Sequence, residues 1–413
     1  MLVSLIPMFD EKMAVRAYSI FCQKNNYFIN PMLLGSGRND GASRIEGLEV
    51  IQSMGIETLS DDKEVFVPIS NISVFVDIES ECDAPHERIV LLIDNTIPPV
   101  EMYVNRLREL KEKGYKLAIR KLNVSEFEAY RPILRLMDYV LLNNRRIAIE
   151  KAKIYFSKLY PNAKLCAGNI DSMEIFEALK KTGGYELYEG NFYRMPITKG
   201  QSDVAPLKIN YIKLLNTVNN DNFELTEAAD IISNDTALTI SLLRMVNRMT
   251  VYSQITSLRQ ATAMLGQKEL KKWINTAVMN VLYADKPNEI TRFSLLRAKF
   301  AENLAPMFEL ALKKDELFLL GLFSVLDVIL EKPMEEALEM VYVAKDIKDA
   351  LGQKKGKLAP VLEFMEQYET ANWQEVSRLM ILQNIEMEDV YEAYISSLKW
   401  YRELMFPQEE KKA

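Results

Sequence analysis

Histidine is almost missing from this chain: His86 is the only one among 413 residues. It sits among Glu79, Glu81, Asp83 and Glu87, where a solvated loop position is expected. A single histidine rules out histidine-rich metal sites and leaves Ser-His-Asp or Cys-His catalysis hard to assemble. Cysteine is nearly as scarce. Cys22, Cys82 and Cys166 are odd in number, far apart and without Cys-x-x-Cys spacing, which suits reduced thiols rather than a disulfide framework. A basic surplus is also lacking: 51 Lys and Arg stand against 58 Asp and Glu, a net charge of −7, which argues against nucleic-acid binding. The longest apolar run, 317–330, is broken by Asp327 and falls short of the roughly 20 residues of a membrane span. Residues 1–7 carry no basic n-region, and Asp10 and Glu11 follow at once. A soluble, cytoplasmic protein without a membrane anchor is expected.

What is present is ordinary globular composition, 48% hydrophobic and 26% charged, with length for two or three domains. Before Pro196, short β-rich runs at 65–69, 89–93, 116–119, 139–142 and 163–167 alternate with amphipathic stretches at 100–113 and 172–181. Such alternation predicts parallel βαβ units, as an open sheet or a barrel. After a polar connector at 198–206 the pattern turns helical, with helices expected at 315–331, 333–343, 360–369, 373–381 and 387–405. The organisation is therefore read as an α/β domain over 1–197, a linker over 198–206, an all-α domain over 207–406 and a disordered tail over 407–413. The glycine run at 34–41 lacks the Gly-Lys-Ser/Thr ending of a phosphate cradle and is expected to be a surface loop.

The stretch Gly114-Tyr115-Lys116-Leu117-Ala118-Ile119-Arg120-Lys121 is the most telling. With Leu107, Leu110 and the later Leu187-Tyr188-Glu189-Gly190-Asn191-Phe192, it resembles the EAL domain, a TIM-type barrel that hydrolyses cyclic di-GMP with two divalent metals. The resemblance implies such a barrel over 1–197, trimmed because this span is short. It also places the family's functional positions. The signature glutamate falls on Ser19, the metal-binding asparagine on Pro68 and the next glutamate on Leu92. The aspartate pair falls on Arg120 and Lys121, the catalytic lysine on Leu141 and the following acid on Asn143. The late glutamate falls on Gly168, its second acid survives as Asp171, and the late glutamine is Glu189.

Hard divalent cations need several converging oxygen ligands, and one remaining aspartate cannot supply them. A cation about 4 Å from such an ion would repel it by roughly 8 kcal/mol at an effective dielectric near 20. Because strand residues alternate, at least one of Arg120 and Lys121 should face the barrel mouth. Arg120, Lys121, Arg145 and Arg146 are the candidate contacts for the phosphates of a nucleotide.

The second half resembles the HDOD domain, a helical relative of HD phosphohydrolases. The resemblance rests on Ile232-Ser233-Asn234-Asp235 with Leu242-Leu243-Arg244, on Ile255-Thr256-Ser257-Leu258-Arg259-Gln260-Ala261, and on Gly321-Leu322-Phe323-Ser324-Val325-Leu326-Asp327. It places the metal-binding His-Asp pair on Ser324 and Val325. Together these readings imply a bacterial signal-transduction protein with no catalytic residues, no metal and no cofactor, so not an enzyme. Its expected role is a scaffold that binds a signalling kinase or regulator, with an oligomer compatible and no nucleic acid or membrane as partner. A non-catalytic cyclic di-GMP receptor is the alternative, and a residual cyclic di-GMP phosphodiesterase the second alternative.

Overall fold

The computed structural model describes residues 1–24, 26, 44–194, 206–220, 222–249, 254–282 and 288–406. Two compact units divide the chain: 1–195 with 364–413, and 196–363.

The first unit is built on a closed barrel of eight strands in chain order. They are β1 (Leu2–Phe9), β2 (Val15–Gln23), β3 (Glu64–Pro68), β4 (Ile89–Ile93), β5 (Lys116–Ile119), β6 (Tyr139–Asn143), β7 (Lys164–Ile170) and β8 (Leu187–Gly190). β1 runs antiparallel to both neighbours, whereas β2 through β8 are mutually parallel. The barrel is thus complete, and the expected trimming is not found. Strands covered on both faces read as continuous apolar runs, and β4 is buried at every position. Alternate residues fill the lumen: Met8, Ala17, Phe66, Val90, Leu92, Ala118, Tyr139, Cys166 and Leu187, with Leu141 beside them.

β1 pairs with β2 along its whole length but meets β8 only at Met8 and Phe9. Its other half would present an unpaired edge. The chain's last three helices, Ala359–Glu369, Trp373–Leu382 and Met387–Met405, supply what is missing. The Val3 amide donates to the Tyr368 hydroxyl at 3.2 Å, and the Ser4 hydroxyl donates to the Glu369 carbonyl at 3.3 Å. Gln23 donates to Ser377 at 3.1 Å, and Arg194 pairs with Glu369 at 3.3 Å in a mostly buried contact. Residues 364–406, expected to close the helical domain, therefore pack with the barrel. The physical reason is that open edge, which apolar periodicity does not reveal.

The second unit is helical: Pro206–Asn219, Leu225–Ser233, Thr236–Met249, Leu258–Leu282, Asn288–Leu304, Lys314–Phe323, Leu326–Leu330, Met334–Met340 and Lys345–Gln353. Leu258–Leu282 breaks at Gly266, whose φ of 73° and ψ of 170° leave the helical region. The single helix expected over 315–331 is two helices, because Val325 is non-helical and the Ser324 hydroxyl takes the Gly321 carbonyl at 2.7 Å. The Leu34–Gly41 run, the linker other than Pro206 and the 407–413 tail lie outside the described residues.

Candidate functional site

The barrel mouth lies at the carboxyl ends of β2 to β8, and strand parity decides what faces it. Ala17 is a lumen residue, so Ser19 and Phe21 stack above it on the same face of β2. Ala118 is likewise in the lumen, so Arg120 is the next inward position on β5. Glu189 is opposite Met8 and shares its inward face. The strand alternation therefore brings Ser19, Arg120 and Glu189 together from β2, β5 and β8. Leu92 and Leu141 line the same lumen, and Pro68 pairs with Leu92. Leu92, Leu141 and Pro68 offer no side-chain oxygen.

Arg120 lies with its guanidinium carbon 5.0 Å from the centre of the Phe21 ring. Its Nε is buried and has no hydrogen-bond partner among the described residues. Burial lowers the guanidinium's pKa from its ordinary value, partly offset by the charges of Glu189 and Asp94. Burial raises the Glu189 carboxyl above its ordinary 4.5, against the opposing influence of Arg120 and the Ser19 hydroxyl. The Ser19 hydroxyl also points at the Met8 sulfur, 3.6 Å away.

This carboxyl makes stability depend on pH with a definite sign. Its folded pKa is raised, so below its ordinary 4.5 it is protonated folded or unfolded and no penalty exists. As pH climbs through the folded value, the unfolded chain holds the proton less tightly, and stability is lost. Glu189→Gln removes that loss. The variant and the wild type should unfold at the same denaturant concentration in acid, and the variant should be more stable at neutral pH. A difference that does not change with pH, or a variant less stable at neutral pH, would refute this account of the carboxyl.

The remaining candidates sit on the rim. Lys121, at a φ of 63°, turns away from the lumen and pairs with Asp94 at 2.8 Å. Burial acts to raise the Asp94 pKa, but hydrogen bonds from Lys121 and Thr96 outweigh it and hold the carboxyl low. Arg145 grips Asp171 through two hydrogen bonds, at 2.9 and 2.7 Å, both side chains being well exposed. Asp171 is thereby engaged at the surface rather than aimed into the lumen. Arg146 is exposed next to this pair, Asn143 ends β6, and Gly168 pairs with it from β7. Among the described residues no three His, Cys, Asp or Glu side chains converge as metal ligands. His86 is not simply solvated. Its ring stacks on Tyr115, 4.4 Å between centres, and its Nδ1 is 3.1 Å from the Lys113 carbonyl.

Sequence reasoning missed Phe21 and Asp94, although the alternation Ala17, Ser19, Phe21 was available to place the ring over the mouth.

In the helical unit, Ser324 is spent on the Gly321 carbonyl and Val325 is buried. Asp327 accepts from the Val328 amide at 2.8 Å, and burial raises its pKa. The family model of the HDOD domain matches residues 205–352. This stretch is an HDOD domain. The expected arrangement, a TIM-barrel-like domain followed by a helical HDOD domain, stands.

One relative is cyclic di-GMP phosphodiesterase CdgJ of Vibrio cholerae serotype O1, 28% identical over 325 residues, covering 78% of this chain and 74% of that protein. Another is the uncharacterized protein YuxH of Bacillus subtilis, 26% identical and covering 97% of both chains. Among solved structures, the EAL domain of Mycobacterium smegmatis DcpA aligns at 15% identity and a TM-score of 0.34, over 46% of this chain and 89% of that one. The reading of the chain as no enzyme is corrected by these relatives: one that spans most of the chain is named a phosphodiesterase. Replaced ligands at a few barrel positions do not by themselves establish that turnover is lost.

No helix among the described residues is long and apolar enough to cross a membrane.

Proposed function

We propose that the protein is a cytoplasmic signalling component that recognises cyclic di-GMP at the barrel mouth and passes the liganded state to a protein partner. The observation that carries the reading is Arg120: a half-buried side chain in the lumen whose buried Nε lacks an acceptor among the described residues. A phosphodiester oxygen would supply that acceptor, and charge-assisted bonds of this kind are the strong ones. Arg146 on the rim adds a second cation, and Phe21 a flat apolar face near the same guanidinium.

Titration calorimetry with cyclic di-GMP, with and without magnesium, tests the reading. Saturable binding is expected, and Arg120→Glu should weaken it by roughly a hundredfold, about 3 kcal/mol. Absence of saturable binding, or an unchanged affinity in Arg120→Glu, would sink it. A second reading, turnover of the same ligand, is favoured by the name of the Vibrio relative. Chromatography of the titrated samples for linear dinucleotide decides that point.

A further inference from the structure

Two opposite charges reach the barrel lumen from different strands, Arg120 just beyond β5 and Glu189 on β8. Both side chains are half-buried, so a ligand at the mouth meets both. The ion pairs of this region, Lys121 with Asp94 and Arg145 with Asp171, lie on the rim. Among the described residues none joins Arg120 to Glu189, although each feels the other's charge. Arg120 therefore faces a carboxyl without being tied to it.

The groups around Glu189 come from every strand that lines the lumen. β1, β4 and β6 present Met8, Leu92 and Leu141, none of which titrates. β2 presents the Ser19 hydroxyl, which is hydrogen-bonded to the Glu189 carboxyl, and β5 leads to Arg120. β3 and β6 also carry Glu64 and Tyr139, which are bonded to each other at 2.8 Å at the amino ends of their strands. β7 presents Cys166, whose thiol is pushed well above its ordinary range by burial and by the Glu189 charge, and so stays neutral. On the rim, Asp94 is held low by Lys121 and Thr96 and acts on the site through its charge on Arg120. His86 stacks on Tyr115 ahead of β4, at the opposite end of the strands. Among the described lumen residues, Glu189 is left as the group that changes charge in the weakly acid range.

A phosphodiester is an anion throughout that range, and one drawn to Arg120 comes up against Glu189. The ionised carboxylate offers it only acceptors and a like charge, whereas the neutral carboxyl offers an O–H donor. We propose that Glu189 takes part in binding in its neutral form, donating a hydrogen bond to the phosphodiester group that Arg120 holds, so that the ligand enters together with one proton. The proton comes from solvent and stays on the carboxyl oxygen, and no covalent bond of the ligand changes. This inference rests on the cyclic di-GMP reading of the mouth and adds its regulation: occupancy rises as the surroundings become more acid.

Calorimetry on the full chain with cyclic di-GMP, run from about pH 5 to about pH 8, tests this; one linked proton changes affinity by at most about tenfold per pH unit. The wild type should bind at least about tenfold more tightly at the acid end than at the alkaline end. Glu189→Gln, whose amide donates at every pH, should bind with a flat profile and more tightly than the wild type at the alkaline end. Ser19→Ala removes the hydroxyl that favours the ionised carboxyl and should move the wild-type profile to higher pH. Titrations near pH 6, at about the middle of that range, in two buffers of different ionisation enthalpy count the protons directly: uptake by the wild type, none by Glu189→Gln. Saturable binding that is independent of pH in the wild type, or a Glu189→Gln variant that keeps the wild-type profile or binds more weakly at the alkaline end, overturns this inference alone. Absence of binding by both proteins at every pH overturns the cyclic di-GMP reading and this inference with it.

Discussion

Tyr368→Ala should come close to unfolding the barrel unit, although residue 368 follows the last strand by far in sequence. The Tyr368 side chain is fully buried. Its ring packs against Trp373 at 5.3 Å and Tyr394 at 5.0 Å, so it joins all three C-terminal helices. Removing a buried aromatic ring costs about 3–5 kcal/mol through lost burial and the cavity left behind. The hydroxyl adds a second loss, since it accepts from the Val3 amide on the half of β1 that β8 does not reach. An orphaned buried amide costs about 1–3 kcal/mol more. The sum is comparable to the whole stability of a typical domain, about 5–15 kcal/mol. Tyr368→Phe separates the two contributions and should show the smaller one alone. Urea unfolding followed by barrel-tryptophan-independent far-ultraviolet dichroism reads both variants. If Tyr368→Ala shifts the midpoint no more than Tyr368→Phe does, the helices do not support β1 as described. By the same reasoning, a chain ending at 197 should not yield a soluble barrel.

That dependence also explains what the sequence could and could not convey. The expected strand runs at 65–69, 89–93, 116–119, 139–142 and 163–167 match β3 to β7 within a few residues, because strands buried on both faces carry a dense apolar signal. β8 is four residues long and carries Glu189 and Gly190 in its second half, so its pattern is too short to stand out by itself. Helices 373–381 and 387–405 were legible in extent, yet their stripes say only that a face is buried, not against which unit. Their partners are hundreds of residues away, as with Gln23 and Ser377.

The candidate site was legible in a similar, partial way. Gly114-Tyr115 fixes the register of β5, and parity then sends Arg120 inward. Parity does not predict which side chain meets it across the lumen. The meeting of Arg120 with Ser19 and Glu189 depends on the shear of a closed barrel, which only the strand pairings supply. Lys121 shows the complementary limit. Its left-handed backbone, not alternation, turns it to Asp94 on the rim.

Gly321→Ala should destabilise the HDOD domain by at least about 2 kcal/mol, against the ordinary preference of helices for alanine. Gly321 lies in Lys314–Phe323 where that helix presses on Asn288–Leu304. A Cβ at this position would stand 2.4 Å from the Arg297 carbonyl carbon and oxygen and 2.5 Å from the Ala298 nitrogen. These are backbone atoms, so no rotation of a neighbouring side chain relieves the clash and the two helices must separate. Separation would also loosen the Ser294 hydroxyl's bond to the Leu322 carbonyl, now 2.8 Å, and open the contact around the fully buried Ala298 and Ala301. Gly352→Ala provides the opposite sign. Its added Cβ would meet only side-chain carbons of Leu338 and Glu335, at 3.6 and 3.7 Å, which is ordinary contact. There the entropy lost by the unfolded chain should raise stability by about 0.4–1 kcal/mol. Thermal unfolding of the two variants beside the wild type distinguishes the cases by direction alone. Should both substitutions raise the midpoint, the close helix crossing at Gly321 cannot be what the glycine is there to permit.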